Sequence, residues 1–264
     1  MKTLRLSILL LGLLLSSVFF SCKKENTPPD LPPAESMAFD FSSFDKNKKS
    51  ALDDTTGYGN WSVSALTVGF WSIAVWVNSA VPVAAFKESF NHEAKFIGNA
   101  SWEWTYKTTV LFSQYTCVLS AKVLSNTTKW EMRLSQIGGF QDFIWFEGES
   151  ANDLSNGTWR LYEKPETENP YLDLQWERSG ANLSRLRYTY VLPAQPGTGN
   201  YLEYQKINEG VLDAGFLIRT VDHIHDQDIQ WSKATEEGRI KYQQLYKNAN
   251  WHCWDNMHKN TLCE

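Results

Sequence analysis

From about residue 99 to residue 245 the chain alternates apolar and polar positions in short runs separated by turn residues, the period-two signature of half-buried strands. Trp102, Trp104, Tyr106, Thr108 and Val110 share one strand face, and Tyr115, Cys117, Leu119, Ala121 and Val123 share the next. Trp130, Met132 and Leu134 continue the series, with Ser-Asn-Thr-Thr at 125–128 and Gly138-Gly139 as turn signals between runs. Further runs lie at 142–146, 158–162, 171–176, 186–192, 201–206, 215–221, 229–233 and 239–242. The pattern predicts about eleven strands. Their connections are too short for crossover helices, so neighbours pair antiparallel. The fold class expected is mainly β: an antiparallel up-and-down meander forming a curved open sheet or incomplete barrel around one apolar helix.

That helix is expected at about residues 60–80. No charged residue occurs between Asp54 and Lys87, and Val63, Leu66, Phe70, Ile73, Val77 and Ala80 recur at three- and four-residue steps. Trp61, Val68, Trp71, Val75 and Trp76 make the other sides apolar as well, so the segment belongs either in a membrane or in a protein core. Asn78, Pro82 and the interspersed Ser62, Ser64, Ser72 and Ser79, together with the lack of basic flanks, favour the core. On this reading the stripe faces inward, and Phe70→Asp is expected to cost several kcal/mol because it forces a charge into a dry interior.

The first residues are of another kind. Lys2 and Arg5 precede an apolar stretch from Leu6 to Phe20, which ends at Ser21 and Cys22, as in a secretory signal. A comfortable span needs roughly 20 apolar residues, and this run is shorter. Ser21-Cys22 resembles the lipobox of bacterial lipoproteins, which implies cleavage after residue 21 and acylation of Cys22 by fatty acid of the palmitate class. Lys23, Lys24 and Glu25 follow, then a proline-rich stretch, read as an extended tether. The organisation expected is signal peptide 1–21, lipidated cysteine and tether 22–36, and a single β-rich domain 37–264. The charged cluster behind Cys22 is similar to the surface-export signals of Bacteroidota lipoproteins. This places the protein in the cell envelope, on the outer membrane, facing either periplasm or surface.

Removing residues 1–21 takes two of the 25 Lys and Arg and none of the 30 Asp and Glu, leaving 23 against 30, a net charge of −7. Such a balance argues against a nucleic-acid partner, which needs a basic footprint. Twelve Trp, eleven Tyr and fourteen Phe supply an aromatic core. Of four cysteines, Cys253 and Cys263 are close in sequence, and a bridge between them is worth on the order of 3 kcal/mol. Cys117, in an alternating run, is then a buried free thiol. The alternative pairs Cys117 with either tail cysteine.

The strings Pro82-Val-Ala-Ala-Phe-Lys-Glu-Ser-Phe-Asn-His92, Ala100-Ser-Trp-Glu-Trp-Thr-Tyr106 and Trp251-His-Cys-Trp-Asp255 resemble those of an uncharacterised family of Bacteroidota lipoproteins, a resemblance that brings no activity with it. In architecture, a curved sheet over a hydrophobic helix is similar to the periplasmic lipoprotein carriers of the LolA type, by analogy of fold alone. Asp54-Thr55-Thr56 resembles the O-glycosylation site of Bacteroidota envelope proteins.

Candidate chemistry is sparse. His223 and His225, with Asp222, Asp226 and Asp228 nearby, have metal-ligand character, although a solvated hairpin tip explains them as well. His252 and His258 flank the expected disulfide and read as parts of a packed tail. Glu147 with Glu149, or Glu163 with Glu166, supplies paired carboxylates of the kind glycosidases use, but spacing along a chain does not set separation across a sugar. No nucleophile elbow, phosphate loop or zinc-protease helix is present. The sequence therefore implies no catalytic residue, metal or cofactor. It implies a non-catalytic envelope lipoprotein, tied to the membrane by its lipid, that binds a hydrophobic or amphiphilic ligand or an envelope partner beside the helix. The alternative is a surface glycan-binding module of a nutrient-uptake system that uses exposed tryptophans. The Cys22→Ser precursor is expected to stay uncleaved by the lipoprotein peptidase and to take up no labelled fatty acid; processing and labelling of that variant would refute the anchor.

Overall fold

A computed structural model of the protein describes residues 27–38, 44 and 59–263, apart from the side chains of 76–78. The signal peptide 1–21, Cys22 and Asp54-Thr55-Thr56 lie outside the described residues. A 3-10 turn, Ala34–Met37, is followed by helix α1, Asn60–Ser89. The strands then run β1 (Lys95–Gly98), β2 (Ser101–Val110), β3 (Ser113–Val123), β4 (Thr127–Gln136), β5 (Phe143–Ala151), β6 (Asn156–Tyr162) and β7 (Pro170–Ser179). They continue as β8 (Asn182–Tyr190), β9 (Tyr201–Glu209), β10 (Leu212–Arg219), β11 (Gln227–Trp231) and β12 (Gly238–Lys241). A short helix α2 (Gln243–Tyr246) precedes β13 (His252–Trp254) and β14 (Asn260–Thr261). All 14 strands form one sheet in chain order, each antiparallel to the next, with β1 and β14 as unclosed edges.

The meander, its open curvature and the single apolar helix are as the pattern predicts. The eleven expected runs correspond to β2 through β12, and the strands not expected are β1, β13 and β14. Their signal is weak for a physical reason. Strand β1 is exposed along most of its length, so burial imposes no alternation on it. Strands β13 and β14 have three and two residues, held by the Cys253–Cys263 disulfide, whose Cα atoms are 5.3 Å apart.

Inward-facing residues obey the pleat. Trp102, Trp104 and Tyr106 on β2, Tyr115, Cys117, Leu119 and Ala121 on β3, and Trp130, Met132 and Leu134 on β4 are all buried. Tryptophans also lie over glycines on neighbouring strands. Gly148 sits in register between Trp130 and Trp159, Gly157 opposite Trp176, and Gly238 opposite Trp254. A Cβ on Gly148 would fall 2.2 Å from the Thr158 carbonyl oxygen and 2.4 Å from the Trp159 ring, so the missing side chain makes room for the indole.

Helix α1 fills the concave face. Its N-terminal amide is capped from the tail: the Asn60 N–H donates to Asn260 Oδ1 at 2.8 Å, and Asn60 Nδ2 donates to the Cys253 carbonyl at 2.8 Å. Trp61 stacks on His258 at 4.3 Å, tying the helix start to the disulfide-linked hairpin. Pro82 lacks the N–H that the carbonyl four residues earlier would accept, and the halves Asn60–Val75 and Ser79–Ser89 are inclined at 75°. No single described helix is long and apolar enough to cross a membrane. The second half ends in the sheet: Phe86, fully buried, makes edge contacts with Phe146 at 5.9 Å and Trp159 at 5.5 Å. Tyr106 Oη donates to the Ala85 carbonyl at 2.5 Å, and burial raises its pKa, keeping the phenol protonated for that role. Beside it the 3-10 turn covers the middle strands: Trp159 Nε1 donates to Ser36 Oγ at 3.1 Å and Tyr188 Oη to the Met37 carbonyl at 2.5 Å. Pro32, Ser36 and Met37 are buried and Leu31 packs on the core, so the domain's contacts reach back before the boundary expected at 37.

Two expectations about this segment require correction. The helix continues to Ser89 rather than ending near residue 80, because Pro82 bends it without stopping it. The inward stripe is also misassigned: Val63 is buried, but Leu66, Phe70 and Ile73 are 62%, 66% and 61% exposed. The residues turned inward are Trp61, Val63, Ser64, Ala65, Val68 and Val75, with Ser64 Oγ bonded to the Asn60 carbonyl. A helix apolar on every side carries no preference for which face is buried. Here the fit of Trp61 to His258, together with small Ser and Ala positions against the sheet, accompanies the burial of the opposite side.

Two tests follow from this packing, both on the disulfide-intact protein. In urea unfolding, Phe86→Ala should lower stability by about 3–5 kcal/mol and Gly148→Ala by about 1–3 kcal/mol, while Phe70→Asp should change it by no more than about 0.5 kcal/mol. Cys117 is buried, with its thiol pushed up to about 12 by burial and then by Glu88. It should resist alkylation at pH 8 until denaturant is added, and peptide mapping should recover Cys253 joined to Cys263.

Candidate ligand groove on the outer face of the sheet

Because side chains alternate across a strand, the positions between the buried ones line the outer face. From β3 to β7 these positions line up across five strands in two ladders of directly paired residues. One runs Ser120, Glu131, Glu147, Arg160, Asp173; the other runs Lys122, Lys129, Glu149, Thr158, Gln175. Together they line a groove of about 710 Å³, with Ile97 of β1 at its border. A second hollow, of about 390 Å³, shares Thr158 and Gln175 and extends over Asn156, Glu177 and Arg178.

The first ladder is largely committed internally. Arg160 holds Asp173 through two bonds of 2.8 Å, and Arg133 Nε donates to Glu131 at 2.6 Å. Tyr162 Oη donates to Glu147 at 2.7 Å, its pKa pushed up to about 12 by burial and then by that carboxylate. The second ladder differs. Among the described residues Lys122, Lys129 and Glu149 have no hydrogen-bond or ion-pair partner, although Lys129 and Glu149 are cross-strand neighbours. The groove therefore offers two uncommitted ammonium groups and one carboxylate beside a ladder whose charged groups already have partners.

Other candidates do not converge. Glu147 and Glu149 share the groove face, but Glu147 is engaged by Tyr162, whose protonated phenol is poised to donate rather than to attack. Glu163 and Glu166 lie in the β6–β7 connection, where Glu163 accepts from Thr167 Oγ1 at 3.0 Å. His223 Nδ1 lies 3.0 Å from Asp226, while His225 Nδ1 lies 3.1 Å from Tyr242 Oη, so the two imidazoles serve separate partners. Among the described residues no three His, Cys, Asp or Glu side chains form a group able to hold a metal. His252 stacks on Tyr246 at 3.7 Å and burial lowers its pKa; His258 is engaged by Trp61 and by Glu236 at 3.3 Å.

Beside the helix, the cavity lined by Phe44, Trp61, Trp231 and Trp254 measures about 20 Å³, too small for an acyl chain. For stacking a sugar, a flat row of exposed indoles is required, but eight tryptophans are buried, and Trp251 is covered by Arg239 at 4.3 Å and Lys241 at 4.4 Å. Lys122, Lys129, Glu131, Arg160 and Asp173 were not singled out from the sequence, because their grouping depends on register between strands. The alternation contained half the signal: they are the polar positions of predicted strands, and only pairing shows which of them meet.

Comparison of the chain with family models, with curated proteins and with solved structures returned no match.

Proposed function

We propose that this chain is a non-catalytic lipoprotein of the bacterial cell envelope, akin to the Bacteroidota lipoproteins it resembles and anchored through Cys22. In this reading it binds an extended polar ligand or partner along the outer-face groove. The observation that carries it is the division of labour between the two faces: the concave face is filled by α1 and the 3-10 turn, whereas the outer face keeps a long hollow with uncommitted Lys122, Lys129 and Glu149. A ligand with both signs of charge fits that pattern, since each unpaired group has a counterpart to meet. The groove's carboxylates at 131, 147 and 173 are held by Arg133, Tyr162 and Arg160, which leaves Lys122, Lys129 and Glu149 to meet a ligand. The hydrophobic-ligand reading loses ground to this one because helix α1 occupies the place such a ligand would take.

The test is native mass spectrometry of protein purified from membranes, comparing wild type with Lys122→Glu/Lys129→Glu. A polar species should co-purify with wild type and be retained roughly tenfold less by the double variant, with an unchanged unfolding midpoint. A species retained equally by both, or a lipid alone, would contradict the groove.

A further inference from the structure

We infer that one rim of the sheet, together with the outward side of α1, rests in the interfacial layer of the lipid bilayer, so that the anchored domain is oriented by its own apolar side chains. In an up-and-down meander the connections β2–β3, β4–β5, β6–β7, β8–β9 and β10–β11 lie at one rim and the alternate connections at the other. The two rims differ in chemistry. At the second rim the two-residue turns Asn99-Ala100 and Gly180-Ala181 are small or polar, and the exposed apolar side chains Leu124, Val211 and Met257 stand singly in separate connections; at the first rim the β10–β11 connection alone exposes both Val221 and Ile224. At the first, the two-residue turn between β2 and β3 is Leu111-Phe112.

Leu111 and Phe112 have φ of 48° and 68°, the left-handed region that Asn-Gly occupies readily and bulky side chains occupy at a cost. The conformation brings no burial in return, for Phe112 is fully exposed and Leu111 is 56% exposed. A strained, protruding, apolar tip of this kind is a local departure from what folding alone favours. On the same rim Ile137, in the β4–β5 connection, is 57% exposed. The exposed stripe Leu66, Phe70 and Ile73 reaches this rim too: Thr67 Oγ1 donates to Gln227 Oε1 at 3.1 Å, and Gln227 opens β11 directly after the β10–β11 connection. The helix carries no charge from residue 60 to residue 86, so nothing on that stretch resists entry into an apolar layer.

The geometry selects lipid as the occupant. The apolar residues stand out as separate convex knobs on a helix and two turns, a form suited to a fluid apolar layer. The tether adds a distance limit. Thr27, the first described residue, is five positions after Cys22, and five residues span at most about 18 Å. Acidic Glu163, Glu166 and Glu168 in the β6–β7 connection argue against attraction to anionic headgroups, so the contact is apolar and calls for a neutral bilayer.

The experiment reconstitutes the full-length lipoprotein in phosphatidylcholine vesicles with a fluorophore on Phe112→Cys or, at the opposite rim, on Val211→Cys. Of the four native cysteines, Cys22 is blocked where it carries lipid, Cys117 is buried, and Cys253 and Cys263 are bridged to each other. Iodide should quench the label at 112 roughly tenfold less than that at 211. Adding Phe70→Asp/Ile73→Asp, on the exposed side of the helix, should bring the 112 label back toward the quenching seen at 211. Equal quenching at the two positions, or protection at 211 instead, would overturn the inference. Mass spectrometry reports separately whether Cys22 carries lipid. If it does not, the protein carrying Cys22→Ala, so that only the introduced thiol takes the label, is mixed with the vesicles, and protection at 112 supports the rim contact while its loss rejects it.

Discussion

An open antiparallel sheet with an aromatic concave face is unstable until something covers that face, and here the cover is a bent helix from the same chain. The contact at its centre is Phe86 against Phe146 and Trp159. Around it the indole of Trp159 reaches Ser36, and the phenols of Tyr106 and Tyr188 reach backbone carbonyls of the helix and the 3-10 turn. The polar tips of these three aromatic bodies thus fasten covering segments to the sheet, and each finds an acceptor there. The other end of the helix is fixed by the tail, where Asn260 caps Asn60 and the disulfide holds the hairpin that carries it. Although β13 and β14 are very short, they connect the last residues of the chain to the start of its helix.

Filling the interior has a functional consequence. A curved sheet around a hydrophobic element invites comparison with carriers of lipidated cargo, but a carrier needs volume, and among the described residues the cavity between Trp61, Trp231 and Trp254 is about 20 Å³. The larger hollow lies instead on the outer face, where alternation places polar residues and register groups them into ladders. The same filling leaves the helix's other side uncovered. Leu66, Phe70 and Ile73 are exposed because the sheet curves around one side of an all-apolar helix and does not close over it.

Much of the architecture was legible in the sequence, because burial on one face of a strand writes a period of two that composition does not hide. The residues of β2, β3 and β4 were assigned to their faces from alternation alone, and the tail disulfide from proximity. Legibility failed where burial is not periodic. Strand β1 is exposed, β13 and β14 are too short to show a period, and α1 is apolar all round, so its inward face depends on partners remote in sequence. The groove was hidden for a related reason. Lys122, Glu149, Arg160 and Gln175 come from four strands, and nothing in a single strand's pattern tells which polar residue its neighbour will place beside it.

Helix α1 is the core of the sheet and not an appendage to it. Native-state hydrogen exchange across a denaturant series tests this most directly, since it gives the free energy of opening amide by amide. The amides of residues 83–89 should exchange with the same opening free energy as those of β3 and β6, because the sheet cannot persist once Phe86 leaves it. Free exchange of those helix amides while the sheet stays protected would contradict it.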